Sequence, residues 1–175
     1  MIETHPFGAY TPKNSKYLLL GSFAGQNKDF STHEFFFYVT KRNQFWTILE
    51  SVYNRDLKNK KDKMKLFDDL NLAVSDTIYQ CERARNSNLD NNLINIVYNH
   101  KVINEILIRN KIEKIFFSSR FAEANYKKHF KDFIIKYPDI IYITLPSPSP
   151  RYAAKPIFEK IKIYADILPK ICYCK

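Results

Sequence analysis

Apolar positions along this chain fall into short continuous runs and longer periodic stretches, separated by polar or proline-rich breaks. Tyr17-Leu18-Leu19-Leu20-Gly21-Ser22 is an apolar run ending in glycine, the pattern of a buried strand feeding a loop. Residues 112–117 and 140–145 are further strand candidates, and residues 70–78 form another with Asp76 near its end. From Asn43 onward Phe45, Trp46, Ile48, Leu49 and Val52 recur at helical spacing, with Asn43 placed to cap the start. Apolar residues at 93, 96, 97, 102, 103, 106 and 107 predict a helix over 93–110. Residues 121–133 and 153–167 predict two more, with Pro156 acceptable only in a first turn. The polar stretch 80–92 reads as a loop, and the charge-dense stretch 55–65 as a solvated connection or helix edge.

Strands alternating with helices predict an α/β fold: a central, mainly parallel four-stranded sheet covered on both faces. There is no internal repeat or low-complexity linker, so one domain over 1–175 is expected, with 170–175 as a flexible tail. In such a sheet the ligand site lies beyond the carboxyl ends of the strands. Residues 21–41, 76–85 and 146–151 all sit at such ends, which points to one site.

Composition narrows the ligand. Hydrophobic residues at 45% and charged residues at 26% are ordinary for a globular chain and argue against disorder. The charge balance is less ordinary: 28 Lys and Arg against 18 Asp and Glu give +10 and a pI near 9.4. A basic surface of this size attracts polyanions, because each phosphate it neutralises releases condensed counterions. No apolar run approaches the roughly 18 residues that span a bilayer, and Met1-Ile2-Glu3-Thr4-His5 lacks a secretory pattern. The expected location is the cytoplasm, or the nucleus in a eukaryote. Cys81, Cys172 and Cys174 imply no disulfide framework and cannot supply four cluster ligands. His5, His33, His100 and His129 make no zinc spacing with them. Neither a metal nor a cofactor is expected. His33 lies in an aromatic-rich loop but reads as a surface histidine.

Two loops carry candidate chemistry. In Leu145-Pro146-Ser147-Pro148-Ser149-Pro150-Arg151 three alternating prolines fix φ and hold the intervening residues extended. Such a loop would display the Ser147 and Ser149 hydroxyls, nearby free backbone N–H groups and Arg151. That set suits a phosphate backbone gripped without ordering entropy. A plain proline-stiffened connection fits the composition equally well. The second loop, residues 35–46, holds Phe35, Phe36, Phe37, Tyr38, Phe45 and Trp46 around Lys41, Arg42 and Asn43. Phe45 and Trp46 have core spacing, yet aromatics beside Lys41 and Arg42 also suit base stacking with phosphate contact. Lys41 is a conceivable Schiff-base nucleophile as well.

Gly21-Ser22-Phe23-Ala24-Gly25, Arg42-Asn43-Gln44-Phe45-Trp46 and the 145–150 loop follow, in order, the motifs of the uracil-DNA glycosylase superfamily. The chain most resembles its mismatch-specific and hypoxanthine (deoxyinosine) branches. Asp76-Thr77-Ile78-Tyr79-Gln80-Cys81-Glu82-Arg83, then Leu89-Asp90, are similar to the hypoxanthine branch. The resemblance implies a three-layer α/β/α domain that flips a base from DNA and cleaves its N-glycosidic bond, leaving an abasic site. It also implies that the family's water-activating position is Phe23, which cannot polarise water, so that Asn43 becomes the catalytic residue. A base pocket of Gly21, Ser22, Phe23, Tyr38 and Ser118 is implied, with Tyr38 as the base-stacking aromatic. DNA contacts then fall to Lys41, Arg42, Ser147, Pro148, Ser149, Arg151 and Tyr152. Leu145 stands where classical members carry a base-supporting His or Asn. Ser149 stands at the wedge position, leaving Arg151 or Tyr152 to fill the vacated stack. The expected protein is a monofunctional glycosylase for hypoxanthine first and mismatched uracil second, with duplex DNA as partner, acting as a monomer. The alternatives are a same-fold glycosylase for another modified base in antiphage defence, motivated by Ala24, Ser118 and Ser149, and a catalytically silent DNA-binding protein.

Overall fold

Tyr17–Gly21 forms the buried strand expected and lies inside a parallel sheet, so both its faces are covered. The computed structural model describes residues 1–25, 36–38, 40, 42–84 and 89–171. In chain order these build β1 (Ile2–Thr4), β2 (Tyr17–Gly21), α1 (Phe45–Tyr53), α2 (Lys60–Leu70), β3 (Leu72–Asp76), β4 (Ile78–Arg83), β5 (Leu93–Tyr98) and α3 (His100–Arg109). They continue with β6 (Lys114–Phe117), α4 (Arg120–His129), α5 (Lys131–Lys136), β7 (Ile141–Thr144) and α6 (Ile157–Ile167). The main sheet has the order β3-β2-β6-β7 with every pair parallel. This is the α/β/α architecture with a central four-stranded sheet.

Side chains alternate across that sheet with period two. Leu19, Phe116, Leu72 and Val74 face one layer, where Ile48 and Leu49 of α1, Leu66 and Phe67 of α2 and Tyr164 of α6 pack. Leu18, Leu20, Ala73, Ile115 and Phe117 face the other, against Ile103 and Leu107 of α3 and Ala122 and Tyr126 of α4. Truncating any fully buried leucine of β2 to alanine would cost about 2–5 kcal/mol.

Local capping fixes the helix ends. Asn59 Oδ1 accepts from the Asp62 N–H at the start of α2, which therefore takes in the second half of the charge-dense stretch. Ser119 Oγ accepts from Ala122 N–H at α4, whose last turn carries Lys127, Lys128 and His129 as the helix dipole favours. The closing helix starts at Ile157 rather than at 153, with Pro156 as the residue just before it. Ile171 packs against the α1–α2–α6 face, and residues 172–175, including Cys172 and Cys174, lie outside the described residues.

One segment departs from the sequence reading. Residues 80–92 were expected as loop and 93–110 as one helix; instead β4 and β5 pair antiparallel, and β1 completes a second sheet of order β1-β4-β5. The helix begins only at His100. The reason is a bulge. Between the pairs Glu82↔Ile94 and Gln80↔Val97 the partner strand advances two residues and β5 advances three, and Asn95 sits at φ 51°. The extra residue turns an alternating strand into a 93, 96, 97 spacing that mimics a helix.

Candidate functional site

The carboxyl ends of β2, β3 and β6 converge. Gly21 pairs with Asp76 in register, and the Ser118 N–H donates to the Leu20 carbonyl. The backbone leaving β2 is then held from outside. Thr77 N–H donates to the Gly21 carbonyl at 2.9 Å and Ile78 N–H to the Ser22 carbonyl at 3.1 Å. Ser22 Oγ donates to Asp90 Oδ1 at 2.8 Å, and Arg83 Nη2 donates to the Ala24 carbonyl at 2.7 Å while its Nε holds Glu3. The segment Asp76–Arg83 with Asp90 therefore acts as a brace that sets the path of Gly21-Ser22-Phe23-Ala24. Burial pushes the Asp90 carboxyl up, against the Ser22 hydrogen bond that favours its ionised form.

Beside this loop lies a buried pair that the sequence reading did not single out. His5 Nε2 sits 2.6 Å from Asp76 Oδ2, with the two side chains only 4% and 8% exposed. Nδ1 of the same ring is 2.7 Å from the Phe7 carbonyl and 3.2 Å from the Phe7 N–H. Phe7, Phe23 and Phe37 wall the imidazole at centroid distances of 5.4–5.9 Å. Burial alone would disfavour its charged form, but the Asp76 charge and the hydrogen bonds to Asp76 and the Phe7 carbonyl outweigh it, and the imidazole pKa is raised. A histidine four residues from the start carries no periodicity signal. Only its pairing across 71 positions reveals it.

Gly21 and Tyr38 complete the floor. A Cβ at Gly21 would collide with the Asp76 carboxylate and come within 3.2 Å of the Tyr38 hydroxyl, so glycine here is a matter of space. Tyr38 adopts φ 60°, in the left-handed region that costs a bulky residue about 1–3 kcal/mol. Its ring stacks on Phe45 at 3.9 Å, and its enclosed hydroxyl faces the Asp76 and Ser118 side chains without a well-formed hydrogen bond. Burial and the nearby Asp76 charge push the phenol pKa well up. Of the expected pocket residues, Gly21 and Tyr38 thus lie against Asp76, Ser118 lies beside the Tyr38 hydroxyl, and Ser22 turns to Asp90. Phe23 is engaged elsewhere: its ring packs on His5 and under the Arg83 guanidinium, in a cluster with Ile78, Cys81 and Leu93. Burial raises the Cys81 thiol to about 11, which keeps it protonated and inert.

The aromatic loop divides. Phe36 and Phe37 are core residues, and the Phe37 carbonyl accepts from Trp46 Nε1 at 2.8 Å. Phe30, His33, Phe35 and Lys41 lie outside the described residues, as does Arg85. Arg42 is exposed. Asn43 Oδ1 accepts from the Phe45 N–H at 2.9 Å, so its oxygen serves the start of α1 while its amide N–H₂ remains to donate.

The proline loop is tied to this same start. The Gln44 N–H donates to the Pro148 carbonyl at 2.9 Å. Lys160, 1% exposed on α6, reaches Gln44 Oε1 at 2.9 Å and the Ser149 carbonyl at 3.4 Å, with Tyr152 above its ammonium. Tyr164 OH donates to the Pro146 carbonyl at 2.9 Å. The expectation of free backbone N–H groups is corrected at two positions. Ser147 Oγ accepts from Ser149 N–H and Ser149 Oγ from Arg151 N–H, both at 3.3 Å, so each serine oxygen serves the loop's own backbone. Arg151 is exposed, and Leu145 is a core residue. Lys160 was missed because a lysine on an apolar helix face reads as solvated.

No protein-family model and no curated protein matches the chain. Among solved structures, the solution NMR structure of a protein described as a candidate uracil DNA glycosylase from Methanosarcina acetivorans superposes with a TM-score of 0.64. The match covers 95% of this chain and 98% of that one. The two share this fold. Sequence identity over the match is 18%. Among the described residues no group of three or more His, Cys, Asp or Glu is placed to hold a metal, and no helix is long and apolar enough to cross a membrane.

Proposed function

We propose that this protein is a monofunctional DNA N-glycosylase that acts as a monomer on duplex DNA in the cytoplasm, or in the nucleus of a eukaryote. It extrudes a deaminated base, hypoxanthine first and mismatched uracil second, and hydrolyses its N-glycosidic bond without a cofactor. The observation that carries this reading is the bond from Gln44 N–H to the Pro148 carbonyl. It joins the segment bearing Asn43 to a stiff serine–proline loop, at the carboxyl ends of a parallel sheet on a chain of charge +10. Extrusion is required because the bond is unreachable inside the stack, and mispaired bases cost least to extrude.

In this reading Lys41, Arg42, Ser147, Pro148, Ser149, Arg151 and Tyr152 hold the DNA. Gly21, Tyr38 and Ser118 form the base pocket, with Ser22 held on Asp90 beside it and Phe23 packed behind it against His5. Asn43 is catalytic through its amide N–H₂, which donates to the departing base as negative charge develops on it. The test uses labelled duplexes carrying hypoxanthine, uracil or a modified cytosine, followed by alkali. Strand breaks at hypoxanthine that fall sharply in Asn43→Ala support the reading. Tight binding with no break on any duplex overturns it in favour of a silent DNA-binding protein, a second reading favoured by the packing of Phe23 and Leu145 into clusters. Cutting confined to the modified cytosine would redirect the specificity to another base.

A further inference from the structure

We infer that Asp76 is a catalytic carboxylate and His5 its positioning residue, an assignment that rests on the glycosylase reading above. Excision needs a group that takes a proton from water, and Phe23 and Leu145 supply none. Asp90 is occupied by the Ser22 hydroxyl. Asp76 stands at the carboxyl end of β3, in register with Gly21, where a parallel sheet presents its ligand site. The missing side chain at Gly21 leaves the space that Asp76 Oδ1 fills, toward the Tyr38 hydroxyl. Its other oxygen, Oδ2, is tied to His5 Nε2 at 2.6 Å, which fixes the direction of the carboxylate.

His5 can hold that bond in both of its charge states. When charged, Nδ1–H donates to the Phe7 carbonyl at 2.7 Å; when neutral, Nδ1 accepts from the Phe7 N–H at 3.2 Å. Nε2 keeps its proton for Asp76 in either case. The reaction balances as follows. Water oxygen bonds to C1′ of the deoxyribose as the C1′–N bond breaks, and the bond electrons leave with the base. Asp76 Oδ1 accepts the proton that water loses and later returns it to solvent, while the base takes one proton from solvent. The carboxylate also opposes the positive charge that develops on the sugar.

The test measures single-turnover excision rates and duplex affinity side by side. Asp76→Asn keeps an oxygen for His5 but cannot take a proton. Its rate should fall about 10²–10⁴-fold with affinity nearly unchanged. His5→Leu should lose rate in the same pattern, and His5→Gln, which retains an N–H for Asp76, should recover part of it. An Asp76→Asn protein that folds and cuts as fast as wild type overturns the assignment and leaves the glycosylase reading standing. Should Asp76→Asn fail to fold, equal rates for His5→Leu and wild type overturn it instead. Wild-type protein that cuts no duplex removes both at once.

Discussion

Replacing His5 with leucine removes the one charged partner found among the described residues for the Asp76 carboxylate, 8% exposed to solvent. A buried charge stripped of its partner costs about 3–5 kcal/mol, because the desolvation penalty stays while the attraction is lost. For a chain of this size each kcal/mol moves the melting midpoint by about 2–4 °C. His5→Leu should therefore melt about 6–20 °C below wild type. The double variant His5→Leu/Asp76→Asn should regain much of that loss, since removing both members leaves no uncompensated charge. The effect also depends on pH. The His5 pKa is raised in the folded protein above its unfolded value near 6.5, so the native state binds the extra proton and the pair contributes fully below that value. The contribution fades as pH rises through the folded pKa, and the advantage of wild type over His5→Gln should shrink across that window. Thermal melts of the four proteins from pH 5.5 to 8.5 measure all of this. A His5→Leu midpoint within about 2 °C of wild type at pH 6 refutes the reasoning, as does a double variant no more stable than the single one.

Three further outcomes follow from the same geometry. Gly21→Ala forces a Cβ into the Asp76 carboxylate and should cost about 1–3 kcal/mol, read as a lower midpoint in a thermal melt together with slower excision. Lys160→Met removes a buried cation whose pKa burial lowers, so the midpoint should move by less than about 4 °C. Fluorescence anisotropy should nevertheless show weaker DNA binding, because Gln44 and the Ser149 carbonyl lose their shared donor. Arg151→Ala should lower the slope of log affinity against log salt by about 1, measured by titration at several salt concentrations, if this exposed arginine meets a phosphate.

The main sheet was legible because its strands are buried on both faces, so Leu18-Leu19-Leu20 and Ile115-Phe116-Phe117 stand out as unbroken apolar runs. The small second sheet was not. Its strand β5 carries a bulge at Asn95 that breaks the alternation, and Ile94 and Val97 are exposed, so pattern alone could not separate it from the helix that follows. Of the candidate site, sequence order made legible only a placement: Asn43 lies just before α1, and the proline loop meets its neighbour Gln44. Its acidic centre was hidden for a different reason. His5, Asp76 and Tyr38 come from three separate segments, and although Asp76 heads a stretch placed at the site, nothing in the sequence pairs it with His5. Lys160 was hidden because its neighbours Ile161 and Ile157 define an apolar face in which a lysine counts as an exception.

The tie between Gln44 and Pro148 has a consequence for how a lesion would be found. Backbone and buried polar contacts fasten the proline loop to α1 and α6, so this loop has little freedom to close on DNA after contact. On the proposed reading, rejection of intact DNA does not come from a rearrangement of this loop that only a correct base triggers. It falls to the duplex itself, through the work needed to unpair and extrude each base it is asked to surrender. Fidelity would then track the thermal softness of the base pair, and a weak mismatch would be opened even where the base is undamaged.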